Sequence, residues 1–324
     1  MSTQPLQRIA IVGATGHVGG AFAKELLKTG KHTVTALSRE NSTATPPEGV
    51  KVAKVNYDDE ASLVSALKGQ QFLIITLRYD APADLHGKIV SAAAKAGVPY
   101  VMPNVYNYPI DADTVAEDDH HHKGGLARIK EVEDAGLSPV ALACGFWYEW
   151  SLSLGNQWFG FDIKDRKVTF FDEGKRVITV STWDQCGRAV AALLSLPEAS
   201  SSGGPSIADF KGKFVKVHSF RVSQRDMLDS LHRVLDTTDA DWDISHEAVE
   251  KRRKDGAEEL RNGDFRGFAK WLYAIVFAVD NENSDYAGQH GDGANGVLGL
   301  PEESLDEATR RTVAIVESGK SLFV

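Results

Sequence analysis

The fold class that the sequence predicts is a doubly wound parallel α/β sheet, and three observations support it. Short apolar runs alternate with helical patterns through the first half of the 324-residue chain. One of these runs, 72–77, is apolar at five of its six positions, as expected of a central parallel strand that is buried on both faces. Glycines stop the helical patterns. Strands and helices that alternate at this spacing build a parallel sheet with right-handed crossovers.

The first half contains six predicted strands and four predicted helices. The strands are predicted at 8–12, 32–37, 50–56, 72–77, 99–102 and 138–143. The helices are predicted at 18–29, 59–68, 83–96 and 120–135, and the glycines that stop them are Gly30, Gly69, Gly97 and Gly136.

The pattern changes after Cys144 and becomes less regular. Two predicted strands at 167–171 and 176–180 are separated by 172–175, whose composition is typical of a hairpin turn. The remaining predictions are a helix at 182–196, a loop at 200–205, a strand at 214–220, a helix at 223–235 capped by Ser223, a mostly helical stretch at 242–280, a loop at 280–299 and a last helix from Pro301.

These patterns divide the chain into two unequal domains. Residues 1–150 are predicted to form the parallel sheet domain, which 176–197 is expected to rejoin. Residues 151–324 are predicted to form a smaller, mixed α/β domain that covers the substrate.

Composition excludes several classes of protein. The net charge of −9 argues against a nucleic-acid partner and gives no reason to expect an anionic membrane surface. The apolar run at 268–279 is too short for a membrane span, which needs about 20 residues. The chain has two cysteines, Cys144 and Cys186, without metal-ligand spacing, and its start shows no signal peptide. We therefore expect a reduced, cytoplasmic protein.

The strongest motif is a glycine-rich turn between the first strand and the first helix. Gly13 permits a tight turn, Gly16 lets the backbone approach a diphosphate, and Gly19 lets the helix pack against the strand. The N–H groups of the helix start favour the phosphate charge. This motif predicts a Rossmann-like dinucleotide site that includes Gly13, Thr15, Gly16, His17 and Val18.

The end of the second strand indicates which dinucleotide binds. NAD sites place an acidic residue there for the ribose diol, whereas this chain has Ser38 and Arg39, and Glu40 comes one position late. Arg39 can hold a 2′-phosphate through charge-assisted hydrogen bonds, and Ser38 can add a donor. The sequence therefore favours NADP(H) over NAD.

The catalytic residue is harder to identify. No tyrosine has a lysine four positions later, and no Gly-x-Ser-x-Gly elbow occurs, so neither an ordinary short-chain dehydrogenase nor a serine hydrolase is supported. The remaining candidate is Lys123, at the start of a helix after the fifth strand and next to Gly124 and Gly125. A lysine there can hydrogen-bond a nicotinamide ribose and a substrate oxygen.

Two clusters near these positions leave alternatives open. His120, His121 and His122 suggest a metal site, but adjacent residues on one helical turn point in different directions, which favours roles at the helix start or in a pocket. The aromatic run 146–150, with Trp147 and Tyr148, forms either a wall for a flat substrate or an interdomain core. Tyr106 and Tyr108 are candidate pocket residues, and the alternative for them is also a place in the interdomain core.

Together these residues resemble the NmrA-like and isoflavone-reductase-like proteins, which are atypical short-chain dehydrogenases, and the fungal NmrA-like branch in particular. The resemblance rests on residues spread over most of the chain: the turn 13–19, Ser38-Arg39, Pro103-Asn104, Lys123 with Leu126 and Arg128-Ile129, and Trp183-Asp184.

The resemblance implies a role for several positions. It implies that Lys123 is the catalytic lysine, which orients cofactor and substrate. It also implies that Leu77 and Asn104 belong to the cofactor site. The plant reductases carry Pro-Ser-Glu-Phe-Gly after the fifth strand. This chain has 103–107 Pro-Asn-Val-Tyr-Asn instead, which disfavours the plant ether and lactone substrates.

The leading hypothesis is therefore an NADPH-dependent reductase of a small aromatic or heteroaromatic metabolite, such as a secondary metabolite. Tyr106, Trp147 and Tyr148 are its predicted pocket residues. Two alternatives stay open. One is an NADP-sensing regulator that binds a protein partner without turnover, and the other is an isomerase or cyclase that uses the cofactor without net redox change.

Overall fold

The computed structural model describes residues 4–110, 113, 119–264, 266–291 and 293–323, and for His120 and His290 it describes the backbone only. The chain divides into two compact units. Unit 1 comprises Met1–Ala143, Trp183–Val217 and Gly293–Leu300. Unit 2 comprises Cys144–Thr182, His218–Asp292 and Pro301–Val324.

Strands and helices are numbered separately in chain order. The strands are β1 (Arg8–Val12), β2 (Thr33–Arg39), β3 (Lys51–Val55), β4 (Phe72–Ile75), β5 (Tyr100–Met102), β6 (Tyr106–Asn107), β7 (Ser138–Ala143), β8 (Phe146–Trp147), β9 (Phe161–Asp162), β10 (Lys167–Phe171), β11 (Ile178–Ser181), β12 (Lys213–Lys216), β13 (Phe220–Val222) and β14 (Asp243–Glu247). The helices are α1 (His17–Lys28), α2 (Glu60–Leu67), α3 (Leu85–Ala96), α4 (His120–Asp134), α5 (Tyr148–Ser153), α6 (Trp183–Leu194), α7 (Gln224–Leu235), α8 (Val249–Arg261), α9 (Arg266–Phe277), α10 (Tyr286–His290) and α11 (Leu305–Ser318).

Unit 1 is built on a parallel sheet with the strand order β12-β7-β5-β4-β1-β2-β3, and β6 runs parallel to β7. The chain winds outward from β1 to β3 and then returns to β4 on the other side of β1. The switch point of a doubly wound sheet therefore lies between β1 and β4, where such folds bind ligands at the carboxyl ends of the strands. This order confirms the predicted fold class.

The strands form where the sequence is apolar because both faces of this sheet are covered. All four residues of β4 are buried, as are the last four of β1. α1 buries Val18, Phe22 and Leu26, which are spaced four residues apart and so share one face. α1 packs on α6, whereas α3 packs on α2 and α4, so the helices fall into two separate groups.

Unit 2 contains two small mixed sheets and the remaining helices. One sheet has the order β14-β10-β9 and the other β13-β11-β8. α8 packs against α9, and α11 packs against α5 and α7. Within the described part of the chain, none of the helices combines the length and apolar character that a membrane crossing demands.

The predicted hairpin of β10 and β11 is wrong, because the two strands lie in different sheets. Two backbone groups of the segment 172–175 form hydrogen bonds with distant parts of the chain. The N–H of Asp172 donates to the carbonyl of Glu247 at 2.9 Å, and the carbonyl of Gly174 accepts from the N–H of Arg225 at 3.0 Å. β10 thus pairs with β14 and β9.

Three other element predictions also need correction. The segment 280–299, predicted as a loop, contains α10. The single strand predicted at 214–220 is two strands, since β12 pairs with β7 and β13 with β11. The N–H of Val217 donates to the carbonyl of Ala143, and that of Ser219 to the carbonyl of Val180, so the pairing changes between these residues. The helical stretch predicted from residue 242 begins instead with β14, which runs parallel to β10.

Candidate functional site

The turn after β1 is shaped by close contact with the end of β4. Gly13 has φ +84°, and a Cβ added there would lie 2.1 Å from the carbonyl oxygen of Thr76. Thr76 follows β4 directly. Its N–H and its hydroxyl both donate to the carbonyl of Val12, at 3.0 and 2.7 Å. Glycine is therefore required at position 13 for both its conformation and its size.

The start of α1 is equally close to this turn. A Cβ on Gly19 would lie 2.3 Å from the carbonyl oxygen of Gly13 and 2.6 Å from the hydroxyl of Thr76. The N–H of Gly16 donates to the carbonyl of Gly13 at 3.0 Å, which closes the turn. Thr15 and Gly16 are exposed. The glycines thus bring the helix start and the switch point together.

This helix start fits an anion. α1 lies wholly within the described residues, and its first turn has neither a side-chain cap nor an acidic residue. By contrast, a carboxylate oxygen of Asp59 caps α2 by accepting from the N–H of Ala61. The first N–H groups of a helix need acceptors, and phosphate oxygens supply them together with a favourable charge. His17 and Val18 begin α1, so their N–H groups belong to this set.

The end of β2 carries positive charge at an exposed position. Arg39 is exposed and Ser38 half-buried. The ammonium of Lys54 on β3 donates to the carbonyls of Arg39 and Ser42 at 3.3 and 2.8 Å. Burial raises the pKa of Tyr57 to about 12, although the charge of Arg39 acts in the opposite direction. Two cations therefore flank the loop that follows β2.

Leu77 and Asn104 are brought together at the ends of β4 and β5. The N–H of Leu77 donates to the Asn104 side-chain oxygen at 3.0 Å, and the Asn104 amide donates to the carbonyl of Leu77 at 3.3 Å. On α4, Arg128 donates to the carbonyl of Asn104 at 3.2 Å. Asn104 thereby fixes the backbone that follows the central strand.

Tyr106 also reaches the end of β4. Its hydroxyl donates to the carbonyl of Ile75 at 2.9 Å, and its ring lies 5.7 Å from that of Phe22 on α1. The half-buried tyrosine therefore links β6 to the switch point. Its predicted contact with a substrate stays a prediction.

Lys123 lies in the first turn of α4, and its side chain is exposed. Its N–H donates to the carbonyl of Asp119 at 3.1 Å. The Asp119 carboxylate caps the helix through the N–H of His122 and contacts its Nδ1 at 2.5 Å. The Asn107 amide lies 2.7 Å from His122 Nε2. A buried network thus fastens the start of α4 to the segment after β5, at the same edge as Asn104.

The charges in this network favour an ionised carboxylate. Burial acts to raise the pKa of Asp119, but the hydrogen bond and the charge of His122 outweigh it and the pKa is lowered. Burial, followed by the charge of His122, lowers the pKa of His121 to about 4. The side chain of His120 lies outside the described residues. Among those described, no group of three acidic, histidine or cysteine side chains is arranged to hold a metal ion.

The predicted aromatic wall separates into different environments within unit 2. Tyr148 is fully buried, its hydroxyl lies 2.7 Å from that of Thr309, and its ring packs edge-on against Phe220. Burial also raises the pKa of Tyr148 above its ordinary value. These contacts place Tyr148 in the core of unit 2, which corrects its prediction as a pocket residue. Trp147 is half-buried and stays a predicted pocket residue.

Sequence reasoning missed three features that shape the site. Thr76 was not identified, although it directly follows the most apolar strand of the sheet. Asp119 was not identified as a helix cap, although an acidic residue before a helical pattern is a known start signal. No local pattern indicates the third feature, the stacking of Trp183 on His17 with ring centroids 4.6 Å apart.

Comparison with known proteins shows a family likeness in the first part of the chain. The model of the NmrA-like family matches residues 5–148. Residues 5–148 are therefore similar to the NmrA-like family. This NmrA-like segment contains the glycine turn, Arg39, Asn104 and Lys123, so every predicted cofactor residue lies within it.

Relatives extend the likeness beyond the NmrA-like segment. Oxidoreductase aprR of Aspergillus flavus is 25% identical over 305 residues, which is 93% of this chain and 96% of that protein. Quinone oxidoreductase 2 of Escherichia coli is 32% identical over 147 residues, 43% of this chain and 49% of that protein. The solved structure of AtPrR2 with NADP⁺ and (+)pinoresinol shares the fold, with a TM-score of 0.70, 15% identity, and 95% and 99% of the two chains covered.

Proposed function

We propose that the protein is an NADPH-dependent reductase of a small aromatic or heteroaromatic metabolite. The observation that carries this proposal is the start of α1, which lacks a side-chain cap and is held against the switch point by Gly13 and Gly19. Relatives named oxidoreductase and quinone oxidoreductase, and a structural neighbour bound to NADP⁺, support the same assignment.

Each group has a task in this proposal. The first N–H groups of α1 bind the diphosphate, and Arg39 binds the 2′-phosphate. Asn104 holds the backbone at Leu77, which lines the cofactor site. When bound there, NADPH would supply the hydride for the reduction. The exposed ammonium of Lys123 donates a hydrogen bond to a substrate oxygen and so stabilises the negative charge that develops there.

The experiment is to follow NADPH absorbance while the protein is offered quinones and other electrophilic aromatic compounds. Substrate-dependent oxidation of NADPH supports the proposal. Equal binding of NADP⁺ and NADPH without oxidation of any compound would indicate the sensing alternative. Conversion of a compound without net loss of NADPH would indicate an isomerase or cyclase.

Lys123→Ala is expected to lower kcat by about a hundredfold or more, because loss of one hydrogen-bond donor to a developing negative charge costs roughly 10²–10³ in kcat. We expect the Kd of NADPH to change by less than about threefold. Lys130→Ala is the matched control, since this exposed lysine lies on α4 and pairs with Asp134. Unchanged turnover in Lys123→Ala would remove this residue from the mechanism.

Arg39→Ala is expected to weaken NADPH binding by about ten- to a hundredfold and to leave NADH binding almost unchanged, because a hydrogen bond to a charged group is worth about 1.5–3 kcal/mol. Titration of both cofactors measures the ratio. Lys51→Ala is the control, an exposed cation at the amino end of β3. Equal losses for NADPH and NADH would contradict the assignment of the 2′-phosphate.

A further inference from the structure

Two aromatic rings meet beside the glycine turn of unit 1. His17 is the first residue of α1, and Trp183 is the first residue of α6. Their rings are stacked, with centroids 4.6 Å apart and an angle of 9° between the planes. Both side chains are half-buried rather than enclosed in the core. The stack therefore lies at the edge where the proposed cofactor binds.

Close packing of α1 against α6 determines which residues of the two helices face each other. Gly187 lies one turn after Trp183 on α6, and Ala21 lies one turn after His17 on α1. A Cβ added to Gly187 would lie 2.7 Å from the carbonyl oxygen of Ala21. Residues 183 and 187 therefore face 17 and 21 respectively, so the two helices run in the same direction and start at the same level. With the backbones this close, the indole has little freedom to leave the imidazole.

We propose that Trp183 is a positioning residue for the cofactor, and that it acts through His17. The stacked indole holds the imidazole beside the turn, where a ring N–H donates to the diphosphate of the dinucleotide. An imidazole keeps at least one N–H donor in either tautomer. This inference rests on the proposed function, because the ligand is the diphosphate of the same cofactor.

The test is a double-mutant cycle on the Kd of NADPH, measured by fluorescence titration. Trp183→Leu removes the ring and keeps apolar bulk, whereas Trp183→Phe keeps a ring. We expect about fivefold weaker binding for Trp183→Leu and less than about twofold for Trp183→Phe, since the loss of one aromatic pair weakens an interaction only modestly and phenylalanine keeps a ring. In a His17→Ala background, Trp183→Leu should have no further effect.

A second ligand shows which part of the cofactor Trp183 affects, and additivity separates positioning from a purely structural role. NADH shares the diphosphate, so Trp183→Leu should weaken NADH and NADPH by the same factor, unlike Arg39→Ala. A purely structural role would make the effects of Trp183→Leu and His17→Ala additive, and additivity would overturn the inference. Equal affinity in Trp183→Leu and the wild type would also overturn it. Failure of the wild type to bind NADPH would instead overturn the proposed function.

Discussion

Gly19→Ala is expected to weaken NADPH binding by at least about a hundredfold and to lower the free energy of unfolding by about 1–3 kcal/mol, as overpacking of a close contact does. The added methyl group would lie 2.3 Å from the carbonyl oxygen of Gly13 and 2.6 Å from the Thr76 hydroxyl. To relieve this steric overlap, α1 must move away from β1. This movement withdraws the N–H groups at the start of α1 from the position proposed for the cofactor diphosphate. Titration with NADPH and urea unfolding of the cofactor-free protein measure the two losses.

The adjacent residue provides the matched control. A Cβ on Gly20 would have its nearest neighbour, the carbonyl oxygen of Ala14, at 3.5 Å, which is ordinary contact. Gly20→Ala is therefore expected to bind NADPH normally and to gain about 0.5–1 kcal/mol, the usual benefit of alanine over glycine inside a helix. If the two variants bound NADPH with equal affinity, the close contact of Gly19 with Gly13 and Thr76 would not matter for cofactor binding.

The parallel sheet and its glycine turn were predictable because their causes are local. Each strand of the sheet core is an apolar run of a few residues, and the glycines of the turn stand at a spacing that few other structures require. Gly97 shows the same principle at a helix end: it adopts the left-handed conformation and closes α3. A reader of the sequence can therefore place the edge of the sheet where the proposed cofactor binds.

The errors arise where distant residues decide the structure. The composition of 172–175 is typical of a hairpin, but Asp172 and Gly174 bind groups of β14 and α7 that lie more than 50 residues away. β14 itself, with the sequence Asp-Ile-Ser-His-Glu, becomes a strand because β10 offers it an edge. The core position of Tyr148 depends in the same way on Thr309 in the last helix. No local pattern contains these partners.

The second large effect is expected from Arg252, a fully buried cation in unit 2 that is 1% exposed. Its guanidinium donates to the Glu247 carboxylate at 2.7 Å and to the carbonyl of Asn156 at 2.6 Å, and it lies 4.3 Å from the centre of the Phe171 ring. Burial lowers the pKa of Arg252, and the charge and hydrogen bond of Glu247 oppose this shift. One side chain thus joins α8 to β10, to β14 and to the segment before β9.

Arg252→Met is expected to lower the free energy of unfolding by about 3–5 kcal/mol, because removal of one partner leaves the other charge poorly solvated. Glu247 also lies 3.7 Å from the ammonium of Lys251, so the loss should fall near the lower end of this range. Lys254→Met is the control, an exposed cation on the same helix, with an expected change of less than about 0.5 kcal/mol. Urea unfolding of both variants measures the difference.

A third variant identifies the physical cause of this loss. In Arg252→Met/Glu247→Gln, the unpaired carboxylate is replaced by a neutral amide of similar shape. If the cost comes mainly from the stranded charge, this double variant should be more stable than Arg252→Met alone, although it carries one more substitution. If both variants lose the same stability, the bond to Asn156 and the contact with Phe171 account for the effect. Arg252 would then stabilise unit 2 chiefly through these contacts rather than through its ion pair with Glu247.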